Sequence, residues 1–287
     1  MSSDLENIIA APTFLSVLKQ LSAKVIVIKC GGAALIDPLK ITALMKDVAF
    51  LQSHDIRVVI VHGGGPDISA FCQRLNLPTQ FIKGQRVTDA ATLEVVQMVL
   101  CGKTNRALVS TLNCLGVKAV GFSGQDAGLI QAQKYSDPLE GDLGFIGDIT
   151  KIDPTLIRHL LTTGYLPVIS PIGSDTKGQA YNINADIVAG AIAAALGSER
   201  LIFLSDVNGF YADPQDPSTR LSSIKAATVR QWIQEGNLSG GMIPKLQACL
   251  NALDAGVASA ELLDGNIPHS LLKKIFTTES MGTTITK

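Results

Sequence analysis

Three glycine clusters stand where an apolar run ends or a helical pattern starts: Lys29-Cys30-Gly31-Gly32, His62-Gly63-Gly64-Gly65, and Ser239-Gly240-Gly241-Met242 with Lys245 three residues on. Glycine lets backbone N–H groups approach an anion with no Cβ in the way, and a following helix adds the positive end of its dipole. Each cluster is a candidate anion cradle, although a single glycine pair after a strand is more often just a tight turn. Two of the clusters carry a lysine. Moving a phosphoryl group onto a carboxylate brings two anions together, so a site for that chemistry must place cations and N–H donors where charge accumulates. Lys29 and Lys245 suit the need. Lys29 directly follows the apolar run Val25-Ile26-Val27-Ile28, which argues for a pocket-facing rather than a surface position.

Other polar residues are spaced to assist. In Tyr181-Asn182-Ile183-Asn184-Ala185-Asp186 three small polar side chains alternate, so in an extended segment Asn182, Asn184 and Asp186 face the same way. Helix capping is the competing reading for Asn and Asp there; the functional one gives Asn182 to a substrate and lets Asp186 hold the lysines. Arg86, in Gly84-Gln85-Arg86-Val87-Thr88-Asp89, offers a planar fork suited to a second carboxylate. Asp206-Val207-Asn208-Gly209 follows a strand pattern ending at Leu204, where nucleotides commonly bind. Gly102-Lys103-Thr104 resembles the end of a P-loop, but Gln97 stands where its first glycine belongs. Gly121-Phe122-Ser123-Gly124-Gln125 lacks the last glycine of a nucleophile elbow, which argues against a hydrolase. His54, His62, His159 and His269 show no paired ligand spacing, so no metal site is expected.

The elements that must position these residues read as alternating strands and helices. A βαβ unit runs from the Val25 strand through a helical pattern over 39–51 to Val58-Val59-Ile60-Val61. Two helices are expected over 90–100 and 103–115, a strand over 117–122, and a hairpin or flap over 129–149. A helix over 154–163, capped by Asp153, and a strand over 166–169 complete the first half. The second half has a helix over 186–196, a strand over 201–204, helices around 228–235 and 242–255, and closing strands near Leu262 and Thr284. Before all of these, Leu5, Ile8, Ile9, Phe14, Leu15, Leu18 and Leu21 recur at near-helical spacing broken at Ala11-Pro12, an amphipathic arm for this domain or for a partner.

Composition agrees. With 287 residues, 46% of them apolar, 17% charged and 26 glycines, the chain suits an α/β protein whose buried parallel strands read as unbroken apolar runs. A net charge of −1 removes the diffuse attraction that nucleic acid or anionic membranes need. Five cysteines, none in a Cys-x-x-Cys pair, point to a reducing compartment. Asp4, Glu6 and Pro12 fit neither a secretory signal nor a transit peptide, so a cytoplasmic location is expected, or the plastid stroma if organelle-encoded.

Taken together, Lys29-Cys30-Gly31-Gly32-Ala33-Ala34, Val61 to Pro66, Gly84 to Asp89, Asn182 to Asp186, Ser239 to Lys245 and Asp264 to His269 resemble the amino-acid kinase family, and within it the members that phosphorylate N-acetylglutamate. The resemblance implies a three-layer α-β-α sandwich around a mainly parallel central sheet, with an arm (1–23), an acetylglutamate lobe (24–173) and an ATP lobe (174–287). It implies Lys29, Lys245 and Asp186 as catalytic residues, and Gly64, Gly65, Arg86 and Asn182 as substrate contacts. Nucleotide contacts would be Gly31, Gly32, Ser205, Asp206, Gly209, Gly240, Gly241 and Met242, with Mg²⁺ arriving on the phosphates of ATP. Arginine-inhibited members suggest His269, Glu279 and Gly282 as an effector set, a homo-oligomer (a dimer, or a hexamer joined by the arm), and a possible nitrogen-signalling regulator. Val17 departs from that group, whose arm usually has a tyrosine there. Kinases for glutamate, aspartate or carbamate, and a catalytically weak sensing module, are the alternatives.

Overall fold

The computed structural model describes residues 3–31, 35, 37–137, 141–213, 216–236, 238 and 242–287. Two short helices, α1 (Ser3–Ile9) and α2 (Phe14–Leu21), lead into β1 (Val25–Cys30), α3 (Pro38–Ser53), β2 (Arg57–His62) and α4 (Gly65–Arg74). A small hairpin pairs β3 (Phe81–Ile82) with β4 (Gln85–Arg86). Next, α5 (Ala90–Gln97), a π-helical turn over Met98–Thr104 and α6 (Asn105–Cys114) follow without a break. Then come β5 (Ala119–Ser123), β6 (Ile130–Lys134), β7 (Gly147–Ile152), α7 (Thr155–Thr162), β8 (Leu166–Ser170), β9 (Ile172–Ser174), β10 (Ala180–Asn182) and α8 (Ala185–Leu196). The rest is β11 (Arg200–Ser205), β12 (Phe210–Tyr211), β13 (Arg220–Leu221), β14 (Ser223–Lys225), α9 (Ala226–Gln234), α10 (Met242–Asp254), β15 (Ser259–Asp264), α11 (Ser270–Phe276) and β16 (Thr283–Thr286).

Eight strands form the central sheet in the order β14-β16-β15-β11-β1-β2-β8-β5. From β15 to β5 every neighbouring pair is parallel, while β16 runs antiparallel to β15. The strands are apolar at successive positions because both faces are covered. Val27, Val59, Val61, Leu201 and Phe203 join α8 and α10 in one core, and Ile26, Ile28, Val58, Ile60, Ile202 and Leu204 join α3 and α11 in the other. Side chains alternate along a strand, so Lys29 shares the face of Val27 and points to the α8 side. From β1 the chain crosses to β2 on one side and later returns from β8 through α8 to β11 on the other. The carboxyl end of β1 is therefore a switch point of the sheet, where α/β folds leave a crevice.

Some expectations shift. The boundary after residue 173 falls inside β9, and β10 pairs back onto β9 in the small sheet β10-β9-β6-β7, so residues 174–182 pack with the first half. The two helices expected between 90 and 115 form one run, because the π-helical turn carries the chain past Gly102. The arm packs on its own chain: Ile8, Phe14 and Leu21 are buried, and the Phe14 ring sits 4.9 Å from that of Phe276 in α11.

Candidate active site

Lys29, Asp186 and Lys245 converge from β1, α8 and α10. Lys29 Nζ lies 2.8 Å from Asp186 Oδ1, and Lys245 Nζ lies 3.9 Å from Oδ2 of the same carboxylate. Each of the three side chains is close to nine-tenths buried. The Lys29 contact is ionic and lacks hydrogen-bond alignment, so Oδ1 is a buried oxygen with no hydrogen-bond partner. Burial holds the Lys245 ammonium below the usual lysine range; Asp186 opposes that shift and the Lys29 charge adds to it. One carboxylate is thus shared by two ammonium groups, and the trio keeps a net positive charge.

Local structure explains the placement. Asn184, not Asp186, caps α8, its Oδ1 accepting the Asp186 N–H at 2.8 Å, which leaves the Asp186 carboxylate for the lysines. Lys245 lies in the first turn of α10. A Cβ on Gly31 would stand 2.3 Å from Lys29 Nζ, so glycine there lets the lysine fold over the loop. A Cβ on Gly190 would stand 2.9 Å from the Ala248 carbonyl oxygen, so glycine also lets α8 and α10 approach closely enough for Lys245 to reach Asp186.

A cavity of about 290 Å³ opens beside the trio, walled by Lys29, Gly64, Gly65, Arg86, Asn182 and Asp186 among others. A Cβ on Gly65 would meet no atom within 4 Å, and one on Gly64 would collide with Leu100 at 2.6 Å. Arg86 is buried: its Nη2 donates to Gly65 O at 3.0 Å and to Ser69 Oγ at 2.7 Å, and its guanidinium lies 4.7 Å from the centre of the Phe81 ring. Its Nη1 has no hydrogen-bond partner. Asn182 Nδ2 donates to Thr88 Oγ1 at 3.2 Å. Ser69 and Phe81 escaped sequence reasoning; Ser69 lies one helical turn beyond Gly65, and Phe81 faces Arg86 across the β3–β4 hairpin. A second groove, about 1100 Å³, reaches Asp186 along α8 and α10, but the paired lysines do not line it.

The expected nucleotide residues fall at the ends of β11 and α10. Ser205 closes β11 and is buried, Asp206 is exposed beyond it and its charge acts on Lys245, and Met242 opens α10. Gly209 has φ of +95°, and a Cβ there would stand 2.5 Å from Thr283 Oγ1. Gly32, Gly240 and Gly241 lie outside the described residues. Of the effector set, His269 Nδ1 is 2.6 Å from buried Asp47, Glu279 is exposed, and Gly282 packs where a Cβ would meet Leu262 O at 2.0 Å.

An α/β sandwich with two lysines on one aspartate at the switch point, beside an Arg86-lined cavity, defines an enzyme site for joining two anions. The sequence matches the amino acid kinase family over residues 24–264, and the chain belongs to that family. It is 50% identical over 275 residues to the acetylglutamate kinase of Symbiobacterium thermophilum, covering 94% of each chain. Its identity to the acetylglutamate kinase of Desulforamulus reducens is 45% over 286 residues, or 99% of each chain. Among solved structures, the N-acetylglutamate synthase of Neisseria gonorrhoeae, complexed with coenzyme A and N-acetyl-glutamate, superposes with a TM-score of 0.84 at 22% identity. That match spans 95% of this chain and 62% of the synthase, and it shows the fold alone.

Proposed function

We propose that this chain transfers the γ-phosphoryl group of ATP to the γ-carboxylate of N-acetyl-L-glutamate, forming N-acetylglutamyl 5-phosphate in arginine biosynthesis. Relatives named acetylglutamate kinase support the reading over nearly the whole chain. One observation favours an acylated acceptor over a free amino acid. Among the described residues that line the smaller cavity, the sole carboxylate is Asp186, already shared by two lysines. The ammonium of free glutamate or aspartate would find no counterion there, whereas an acetamido group needs none.

The acceptor carboxylate is ionised at neutral pH and attacks phosphorus without a general base. The new acyl O–P bond forms as the bond from phosphorus to the β,γ-bridging oxygen breaks, and ADP leaves with that electron pair. Arg86, with its free Nη1, would hold the α-carboxylate together with Asn182, while the Gly64 and Gly65 N–H groups receive the reacting carboxylate. Lys29 and Lys245 would neutralise charge on the transferring group, and Asp186 would keep them apart and oriented. Mg²⁺ would spread the charge of the phosphates, and Asp206, exposed directly beyond β11, would be a carboxylate on the nucleotide side. The homo-oligomer, the nitrogen-signalling regulator and the arginine set His269, Glu279 and Gly282 belong to this same proposal.

Hydroxylamine trapping of the acyl phosphate tests it, comparing acetylglutamate with glutamate and aspartate. Acetylglutamate is expected to dominate; turnover with glutamate equal to it would overturn the assignment. The same assay with millimolar arginine tests the effector set, which an unchanged rate removes.

A further inference from the structure

His62 closes β2 immediately before Gly63, Gly64 and Gly65, yet it is fully buried and lines neither cavity. Its ring is held on both nitrogens. Nδ1 lies 3.0 Å from Gly63 O, and Nε2 lies 3.1 Å from both Asn105 Nδ2 and Ser170 Oγ. A carbonyl oxygen only accepts, so Nδ1 carries the ring proton. The Asn105 amide then gives one hydrogen to Val168 O at 2.9 Å and the other to Nε2, and the Ser170 hydroxyl donates to Leu100 O at 3.1 Å. Asn105 Oδ1 in turn accepts from Arg106, and Gly121 makes room for that pair, since a Cβ there would stand 1.9 Å from Asn105 Oδ1. Every donor in the cluster has an acceptor with a single ring tautomer.

The consequence lies in the next peptide. Gly63 O and the Gly64 N–H belong to one planar unit, and among the described residues no peptide bond is cis, so a carbonyl drawn toward His62 turns the Gly64 N–H the opposite way. The Gly63 N–H is fixed as well, donating to Cys30 O at 2.8 Å, one residue beyond Lys29. Among the described residues no acceptor is recorded for the N–H of Gly64 or Gly65. The π-helical turn completes the support: Leu100 and Thr104 pack on Gly64, and Asn105 follows directly at the start of α6. A π-helical turn inside a longer helix is a common mark of a functional site.

We propose that His62, fixed as the Nδ1–H tautomer by the Gly63 carbonyl and the Asn105 amide, is a positioning residue that aims the Gly64 N–H at the reacting carboxylate of the acceptor. The proposal rests on the acceptor cavity assigned above but not on which acid fills it. Burial lowers the His62 pKa to about 4, the Gly63 hydrogen bond raises it, and the Arg106 charge lowers it, so the ring stays neutral where the enzyme works.

Ring ¹⁵N shifts of the histidine-labelled protein test this without any substrate. The His62 signal is identified by elimination, using variants of the other three histidines. It is expected to show the Nδ1–H form unchanged from pH 8 to about 5.5. An Nε2–H ring, or titration near the ordinary value in the folded protein, overturns the proposal. In kinetics, His62→Leu is expected to lower kcat/KM for the acceptor roughly tenfold to a hundredfold, less than the loss from deleting an oxyanion donor outright, with KM for ATP within about twofold. His62→Asn places an amide N–H near the position of Nδ1 and should recover most of the loss. A Leu variant with wild-type kcat/KM, or an Asn variant no better than Leu, overturns it. If both variants misfold, the tautomer of the wild-type protein decides. A wild-type enzyme that prefers another acceptor would sink the acetylglutamate assignment and leave the tautomer result standing.

Discussion

Lys29 and Lys245 differ in how the protein holds them, although they share Asp186. Lys29 makes the closer contact at 2.8 Å, while Lys245 stands at 3.9 Å, and burial disfavours the charged form of Lys245. Both charges should matter most when the phosphoryl group lies between donor and acceptor, because interactions that strengthen in the transition state raise kcat rather than lower KM. We therefore expect Lys29→Ala and Lys245→Ala each to lower kcat by about 10² to 10³, the range for removing one preorganised donor. KM for the acceptor should change only a few-fold; a loss confined to KM would contradict the role. The pH dependence has a definite sign. A lysine with a lowered pKa loses its proton at a lower pH than an ordinary lysine, so kcat/KM, which reports the free enzyme, should fall on the alkaline side before the usual lysine range is reached. Lys245→Arg, whose guanidinium stays charged, should move that limb upward in whatever activity it keeps.

The spacing of the helices that bring Lys245 to Asp186 is set by a small residue. At Gly190, replacement by Ala would return up to about 1 kcal/mol of helix propensity. It would also put a Cβ 2.9 Å from the Ala248 carbonyl oxygen, and such overpacking costs about 1–3 kcal/mol. The second effect is the larger, and it acts by pushing α10 away from α8, lengthening the Lys245–Asp186 contact. Gly190→Ala should thus lower kcat at least several-fold with only a modest fall in Tm; wild-type kcat would show that this crossing does not set the lysine spacing. Its close approach was not legible in the sequence, where 186–196 reads simply as a helix. What was legible is local: the two apolar strands of the βαβ unit, the Asp153 bond to the Thr155 N–H at 3.0 Å, and the glycines beside Lys29. The π-helical turn was not, because Gly102 in a periodic pattern reads as a break, and the chain passes it with the Leu100 carbonyl bound by Ser170. Nor was the meeting of residues 29, 186 and 245, which depends on β11 returning to the far side of β1.

Across the whole molecule, β1 separates two sets of groups, the proposed acceptor contacts and the proposed nucleotide contacts. Arg86, Asn182 and the Gly64–Gly65 loop lie toward the β2 side, while Ser205 and Asp206 continue β11 on the other. The β11 side is buttressed from beyond the site: Gly209 packs against Gly282 and Thr283, and the Phe210 N–H donates to Thr283 Oγ1 at 2.7 Å. Phe210 in turn stacks on Trp232 of α9, with ring centroids 4.9 Å apart and an interplanar angle of 15°. Trp232 is the only tryptophan in the chain. Its emission therefore reports the segment directly after Asp206, and ordering of residues 205–209 around a nucleotide should reach it through Phe210. Titration with ATP and Mg²⁺ is expected to change that emission saturably. Acetylglutamate alone, seated across β1 against Arg86, is expected to leave it unchanged. An equal response to the acceptor alone would mean that the two sides do not bind independently, and no response to ATP would place the nucleotide away from β11.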